Sequence, residues 1–214
     1  MIHLYGRHMS YNVQKVLWTL GELGVEYQHT NLGGAYGGLD TVEFGEMNPN
    51  RRVPVLVDGG LTLWESNAIV RYLATEYGQG TLWPLDPGMR SHADQWMEWA
   101  VNSLLPAFGG LLWGYYRTPE PQRDNAANAK LQRRCERLYA LLDDHLSRQA
   151  FLAGDSLTAG DIPAGTSLYR YFEMGLDVRK PPNLMAWYER LMERVAYRDN
   201  VAEPFDELFG RLDF

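Results

Sequence analysis

The chain has 214 residues, enough for one large domain or two small domains with a buried core. Its 20 basic and 27 acidic side chains give a formal net charge of -7. This charge argues against a nucleic-acid-binding protein, because such proteins usually carry a basic surplus on one face. Cys135 is the single cysteine, so no intrachain disulfide can form, which is typical of a protein of the reducing cytoplasm.

The sequence also argues against a membrane or metal protein. The longest apolar run, 104–113, contains Pro106 and two glycines and is too short to span a bilayer. Met1 leads directly into a strand-like segment, so we expect no signal peptide. The five histidines show no metal-ligand spacing. We therefore expect a cytoplasmic protein that binds no metal.

In chain order, the first elements predict a strand, a helix and a second strand. Residues 2–5 form the first strand, apolar residues recur at helical spacing over 13–23, and residues 25–32 form the second strand. The two strands of such a unit are best built parallel. The glycine-rich loop at 33–38 lacks the phosphate-binding patterns, so we do not expect it to hold a phosphate.

A hairpin and a helix are predicted next. After a short, irregular helix at 39–47, strands at 53–57 and 61–63 flank Asp58-Gly59-Gly60, which supplies the positive φ of a tight turn. The following helix begins near Glu65 and ends at Gly78.

No further strand is predicted after residue 80. A linker at 81–88 leads to an all-helical part at 89–214. Thr158 and Asp161 match a capping box, in which each side chain accepts a hydrogen bond from the other residue's N–H, and Leu157 can pack onto Ile162. The predicted helices cover 89–112, bent at Pro106, then 126–146, 162–172, 183–195 and 204–212.

The helix start at Glu65 and Ser66 is a candidate binding site. A carboxylate there would accept hydrogen bonds from the free N–H groups and from the Ser66 hydroxyl, and Glu65 could pair with an ammonium group. An amino-acid head group carries both charges, although an ordinary helix start has the same residues. Pro54 cannot donate to a strand ladder, and a cis Val53-Pro54 bond would turn the Val53 N–H and C=O toward a ligand.

These motifs resemble the glutathione-binding part of the cytosolic glutathione transferases, and most closely the bacterial, theta/nu-like type with Ser-x-Asn after the first strand. The resemblance covers nearly the whole chain. It implies a thioredoxin-like, glutathione-binding domain at 1–80, a linker at 81–88, an all-helical domain at 89–214 and a homodimer. The residues that carry it, in the family's order and spacing, are Val53-Pro54, Asp58-Gly59, Glu65-Ser66-Asn67-Ala68-Ile69 and Arg71-Tyr72-Leu73.

The resemblance also implies roles for individual residues. Glu65 and Ser66 would hold the γ-glutamyl group of glutathione, and Val53, beside Pro54, would hold its cysteinyl backbone. Arg52 would reach the glycyl carboxylate, although a solvated charge explains it equally well.

Ser10 and Asn12, at the start of the first helix, are the candidate catalytic residues. Their hydroxyl and amide, with the positive end of the helix dipole, can stabilise a thiolate. Taken alone, Ser10 is more often a helix cap. The resemblance instead implies that Ser10 holds the thiolate with support from Asn12, and Tyr5 is the alternative, since other classes use a tyrosine near the end of strand one. Cys135, in the middle of a helix, is expected to be buried and inert.

A second, apolar pocket is predicted for the electrophile, although aromatic residues at helical spacing more often belong to a core. Glutathione is the expected co-substrate, and its thiolate is expected to attack an apolar electrophile, as in detoxification. Alternatives are a glutathione-dependent disulfide or hydroperoxide reductase on the same site and a non-catalytic glutathione-binding module. The residues expected to line the pocket are Met9, Tyr11, Phe108, Leu112, Trp113, Tyr115 and Tyr116.

Overall fold

A computed structural model of the protein describes residues 1–212. The N-terminal part is built on a four-stranded mixed sheet in the order β2-β1-β3-β4. Strand β1 is parallel to β2 and antiparallel to β3, and β3 is antiparallel to β4, so the predicted parallel unit and hairpin are confirmed. The strands are β1 (Ile2–Tyr5), β2 (Tyr27–Thr30), β3 (Val55–Asp58) and β4 (Leu61–Trp64).

Three helices accompany the sheet: α1 (Tyr11–Leu23), α2 (Val42–Met47) and α3 (Ser66–Tyr77). Helices α1 and α3 pack against each other beside β1 and β3. The predicted apolar stripe of α1 is buried there, with Val13 and Val16 fully inaccessible to solvent. This arrangement is a thioredoxin-like domain.

The C-terminal part is helical. A continuous helical rod runs from α4 (Pro87–Trp99) through α5 (Leu105–Leu111), with π-helical turns at Ala100–Leu104 and Leu112–Arg117. Pro106 lies just after the first π-helical turn, and its nitrogen cannot donate to the preceding turn, so the wider turn accommodates the proline without ending the helix. The remaining helices are α6 (Asn125–Leu146), α7 (Asp161–Glu173), α8 (Pro182–Met192) and α9 (Val195–Asn200).

The structure corrects the end of the helical prediction. The helix predicted at 183–195 is broken by the extended backbone of Arg194, which separates α8 from α9. The helix predicted at 204–212 is wrong, since this segment contains only a 3₁₀ turn at Asp206–Leu208. There, the Gly210 N–H donates to the carbonyl of Tyr116 at 3.0 Å instead of to a carbonyl of its own turn.

A buried capping arrangement starts α7. The Asp161 carboxylate accepts hydrogen bonds from the N–H groups of Thr158 (2.9 Å) and Leu152 (2.8 Å). The Thr158 hydroxyl accepts from the Gly160 N–H at 3.2 Å and not from Asp161, so one of the two bonds of the predicted capping box is present. A Cβ atom on Gly160 would lie 2.9 Å from Cα of Ala93, so this position requires glycine where α7 meets α4.

Helix α1 joins the two parts of the molecule. It packs against α3 on one side and against α7 and α9 on another, so polar side chains on α1 are buried as well as the apolar stripe. Gln14, Lys15 and Thr19 are at most 1% exposed. Within residues 1–212, no helix has the length and hydropathy needed to cross a bilayer.

Candidate active site

Two recesses meet at the N-terminus of α1, and Asn12 borders both. The first is small and polar, with a volume of about 90 Å³. The second has a volume of about 200 Å³ and lies between the loop after β1, the α4–α5 rod and α7. The polar recess is lined by Asn12, Asn48, Arg52, Val53, Pro54, Glu65 and Ser66.

The polar recess therefore brings together the residues expected to bind glutathione. The Val53-Pro54 peptide bond beside it is cis. Glu65 has a φ of 68°, uncommon for a residue other than glycine, and precedes the first residue of α3. Its side chain does not cap the helix, so no side-chain acceptor competes with a ligand for the N–H groups at the start of α3.

A buried lysine lies behind the polar recess. Lys15 Nζ is 3.3 Å from Ser66 Oγ and 3.5 Å from Asn67 Oδ1, and it lies over the Tyr11 ring, 4.7 Å from its centroid. Burial lowers the pKa of Lys15 to about 7, and the Glu65 carboxylate opposes this shift. Sequence reasoning missed Lys15, although a cation inside the apolar stripe of a helix is a signal that could have identified it.

Ser66 connects this lysine to Asn12. The Ser66 hydroxyl accepts from Lys15 Nζ and donates to Asn12 Oδ1 at 3.3 Å. Within the Asn12 amide, Oδ1 accepts this bond and the Nδ2 amino group is the part that can donate to a ligand. The three side chains form one hydrogen-bonded series from the interior to the junction of the two recesses.

Ser10 lines the larger cavity at this junction. It occupies the N-cap position of α1 with an extended backbone, but its hydroxyl makes no capping hydrogen bond. The common role of a serine at this position is therefore not fulfilled, and its hydroxyl is left without a hydrogen bond to any part of residues 1–212. The alternative residue, Tyr5, lines neither recess and stacks on His3 with ring centroids 4.1 Å apart.

Five of the residues expected to hold an electrophile line the larger cavity. The Tyr11 hydroxyl donates to the carbonyl of Pro163, burial raises its pKa, and its ring lies 5.6 Å from that of Phe108. The five are Met9, Tyr11, Phe108, Leu112 and Trp113.

Tyr115 and Tyr116, the other two residues expected at the electrophile pocket, are not part of the lining of the larger cavity. Tyr116 is buried against Phe205, with ring centroids 4.7 Å apart, and the Tyr115 hydroxyl donates to the carbonyl of Gly175 at 3.3 Å. Both tyrosines lie in the π-helical turn at Leu112–Arg117, where i→i+5 bonding changes the directions in which successive side chains point.

Three arginines that sequence reasoning missed also line the larger cavity: Arg7, Arg117 and Arg170. Arg170 is 2% exposed, and its Nη2 donates to the carbonyl of Met9 at 2.8 Å. Arg117 lies 3.6 Å above the Trp113 ring, so both residues form one wall. Within residues 1–212, no group of three or more His, Cys, Asp or Glu side chains is placed to hold a metal ion.

Comparison with known proteins places this geometry in a family. Residues 1–75 match the model of the glutathione S-transferase N-terminal domain, and residues 92–194 match that of the C-terminal domain. The Escherichia coli strain K12 protein named Glutathione S-transferase GstB is 45% identical over 206 residues, covering 95% of this chain and 99% of that protein.

Solved structures of glutathione transferases are also similar to this chain. The theta class glutathione S-transferase from Xanthomonas axonopodis pv. citri, solved with glutathione bound, superposes with a TM-score of 0.91 at 44% identity, covering 95% of this chain and 98% of that one. Glutathione transferase F2 from Populus trichocarpa gives a TM-score of 0.84 at 25% identity, covering 94% and 97%. Because both domains match and the similarity covers 95% of the chain, the chain belongs to the glutathione S-transferase family.

Proposed function

We propose that the protein conjugates glutathione to an electrophilic second substrate. Glutathione occupies the polar recess, the second substrate occupies the larger cavity, and the sulfur lies where the recesses meet. The observation that carries this proposal is the position of Asn12, which borders both recesses. The unused hydroxyl of Ser10 beside it is a second donor for sulfur.

Each part of glutathione finds a complementary group in the polar recess. The Glu65 carboxylate pairs with the γ-glutamyl ammonium, and the Ser66 hydroxyl with the first N–H groups of α3 binds the neighbouring carboxylate. The backbone of Val53 pairs with the cysteinyl residue, and Arg52 binds the glycyl carboxylate. The similarity to the Xanthomonas structure, which was solved with glutathione bound, supports this assignment.

The chemical step requires a thiolate, whereas a free thiol has a pKa of about 8.5. Donation from the Ser10 hydroxyl and the Asn12 amide, together with the positive end of the α1 dipole, favours the anion. The thiol proton passes to solvent, the sulfur forms a bond to the electrophilic carbon, and the leaving group departs with its electron pair. The apolar walls formed by Met9, Phe108 and Leu112 hold the body of the substrate.

We further propose that the protein acts in detoxification as a cytoplasmic homodimer, with domains at 1–80 and 89–214 joined by a linker at 81–88. Family resemblance supports the dimer, and so does the exposure of large apolar side chains on β4, Leu61 (40%) and Trp64 (38%). Light scattering after gel filtration tests it, and a mass of 24.5 kDa, that of one chain, would contradict it.

Calorimetric titration with glutathione and steady-state assays test the proposed activity. We expect saturable binding and turnover of an aryl halide. Activity confined to a small disulfide or a hydroperoxide would indicate a reductase instead. Binding of glutathione without turnover of any of these compounds would indicate a non-catalytic module.

A further inference from the structure

Hydrogen bonds fix the main chain on both sides of the Ser10 hydroxyl. The Ser10 N–H donates to the carbonyl of Arg7 at 3.0 Å, and the Ser10 carbonyl accepts from the N–H of Gln14 at 2.9 Å. The Met9 carbonyl precedes the helix and accepts its hydrogen bond from a distant residue, the Nη2 atom of Arg170, at 2.8 Å. The peptide bond that leads into Ser10 is therefore held at both of its ends.

Helix α7 also holds the residue that follows Ser10. The Tyr11 hydroxyl donates to the carbonyl of Pro163, which lies about two turns before Arg170 on the same side of α7. Residues 9 and 11 are thus both anchored to α7, whereas the Ser10 hydroxyl between them makes no capping bond. Since α1 and α7 belong to different domains, the contact between the two domains sets the position of Ser10.

A buried arginine is a costly anchor if only packing is required. Arg170 is 2% exposed, and its Nε atom has no hydrogen-bond partner among residues 1–212. Its Cζ atom lies 5.7 Å from the centroid of the Phe205 ring, and none of the ion pairs within the described residues includes Arg170. Burying a charge without a paired carboxylate is unfavourable, and a neutral donor could bond the Met9 carbonyl at a lower cost. The positive charge of Arg170 therefore indicates a role of its own.

The charged and titratable groups that face Arg170 come from four other elements. They are Tyr11 on α1, Arg7 in the loop after β1, Arg117 at the end of the α4–α5 rod and the exposed Glu207 in the 3₁₀ turn at Asp206–Leu208. Burial is the largest cause of the lowered pKa of Arg170, which is about 10, so the guanidinium is charged at neutral pH. Arg170 and Ser10 line the same cavity, and a positive charge near a thiol favours the thiolate.

We propose that helix α7 positions Ser10, with Arg170 as the main anchor and Tyr11 as the second, and that the charge on Arg170 stabilises the thiolate of bound glutathione. This inference rests on the proposed transferase function and adds positioning residues to it. Arg170 acts through the Met9–Ser10 peptide bond and through its charge, without contacting sulfur. The helical domain then helps to form the nucleophile, in addition to binding the second substrate.

The pH dependence of an Arg170 variant tests the proposal. Arg170→Gln removes the charge, and we expect the pKa of the bound thiol, measured by thiolate absorbance of the glutathione complex, to rise by about one pH unit. We expect kcat/KM with 1-chloro-2,4-dinitrobenzene to fall at every pH, because Ser10 is held less firmly. Below the thiol pKa the loss is expected to be about tenfold greater than at high pH, where both proteins hold the thiolate. An equal loss at all pH values, or no loss, would overturn the proposal.

Arg190 on α8 offers a matched control for Arg170. Its guanidinium also donates to a main-chain carbonyl, that of Ala150, from Nε at 3.1 Å and from Nη2 at 2.8 Å, but Arg190 lines neither recess. Arg190→Gln is expected to keep both the thiol pKa and the shape of the pH profile. The same rise of the thiol pKa in Arg190→Gln would contradict the assignment to Arg170. Calorimetry with glutathione, performed on every variant, reports whether the polar recess is intact.

Tyr11→Phe decides the case in which Arg170→Gln does not fold. This substitution keeps the ring and removes the hydrogen bond to the Pro163 carbonyl, so we expect kcat to fall about fivefold with an unchanged KM for glutathione. Tyr197→Phe is the matched control, because the Tyr197 hydroxyl donates to another α7 carbonyl, that of Gly165, at 3.0 Å and away from both recesses. Tyr197→Phe is expected to keep the parent kcat.

Equal kcat values of the parent and Tyr11→Phe would overturn the proposal in that case. The proposed function can fail separately, since a parent protein that does not bind glutathione would remove that function and this inference together. A parent that binds and turns over glutathione, with a pH profile that Arg170→Gln leaves unchanged, would remove this inference alone.

Discussion

The Nζ atom of Lys15 lies 3.3 Å from Oγ of Ser66, although Lys15 is only 1% exposed. A lysine whose pKa is lowered to about 7 is thus held in the interior, directly behind the residue expected to bind the γ-glutamyl carboxylate. Burying a charge is costly unless it is paired or hydrogen-bonded, so this position indicates a role beyond packing. We interpret Lys15 as a positioning residue that orients the Ser66 hydroxyl and, in its protonated form, adds positive charge to the polar recess.

Replacement of this lysine tests that role. We expect Lys15→Met to raise the Kd for glutathione about tenfold, because Ser66 loses a charged hydrogen-bond donor. Titration calorimetry gives the value, and Lys130→Met, at an exposed position on α6, is the control. Equal affinities of the parent and Lys15→Met would restrict Lys15 to a structural role.

The pH dependence of stability provides a second test of Lys15. Its pKa is about 7 in the folded protein and 10.5 in the ordinary, unfolded environment. Between these values the unfolded chain binds more protons, so the contribution of Lys15 to the free energy of unfolding rises with pH. Urea unfolding of the parent and of Lys15→Met from pH 6.5 to 10 is expected to show the parent gaining stability relative to the variant. A constant difference would mean that the lysine keeps its proton.

The effects of a Ser10 substitution on activity and on stability distinguish a thiolate-stabilising role of Ser10 from a helix-capping role. Ser10→Ala is expected to lower kcat by about 10²-fold to 10³-fold and to raise the pKa of the bound thiol, because a donor to sulfur is lost. Its free energy of unfolding is expected to change little, since Ser10 makes no capping bond. Loss of a true cap would cost about 1 kcal/mol.

Thiol titration by absorbance and urea unfolding measure these two effects. Ser91→Ala, at an exposed serine on α4, provides the comparison. A variant that is destabilised but retains its thiol pKa would identify Ser10 as a structural residue.

Asp161 is expected to matter for stability. Its buried carboxylate accepts two backbone N–H bonds, and burial raises its pKa to about 6. Asp161→Ala would leave the N–H groups of Thr158 and Leu152 unsatisfied, and we expect a loss of about 2–4 kcal/mol in the free energy of unfolding.

An exposed cap on α6 supplies the reference for this value. Asp124 accepts from the Ala127 N–H at 2.9 Å, and Asp124→Ala is expected to cost about 1 kcal/mol. Urea denaturation measures both variants. Similar losses would show that the buried position of Asp161 adds nothing to an ordinary cap.

Cys135 is expected to resist alkylation in the folded protein. It is fully buried, and burial raises its pKa to about 12, so little thiolate is present at neutral pH. Labelling with iodoacetamide, followed by mass spectrometry, is expected to proceed only as the protein unfolds in urea. Rapid labelling of the native protein would contradict the buried environment.

Sequence reasoning located the polar recess because its residues are close in the chain. Val53-Pro54 and Glu65-Ser66 are separated by one hairpin, whose register follows from the turn at Asp58-Gly59-Gly60. Local geometry therefore brings the two pairs together, and few long-range contacts are needed. The domain order follows for a similar reason, since every strand pattern lies before residue 65 and only helical patterns follow the linker.

Lys15 and Arg170 were missed because their environment depends on distant segments. Helical periodicity predicts one buried face, but α1 is enclosed by α3, α7 and α9, and α7 is buried along most of its length. The position of Tyr115 and Tyr116 outside the lining of the larger cavity has another cause. Their orientation depends on π-helical turns, and the sequence pattern predicts ordinary α-helical spacing.

The shared boundary at Asn12 has a consequence for how new specificities arise. A substitution there alters the surroundings of both ligands at once, so a gain for one substrate comes with a change for the other. Trp113 borders the larger cavity but not the polar recess, and its side chain is 45% exposed. Evolution toward a different second substrate is therefore expected to proceed through Trp113 and the neighbouring rim, while Asn12 stays fixed.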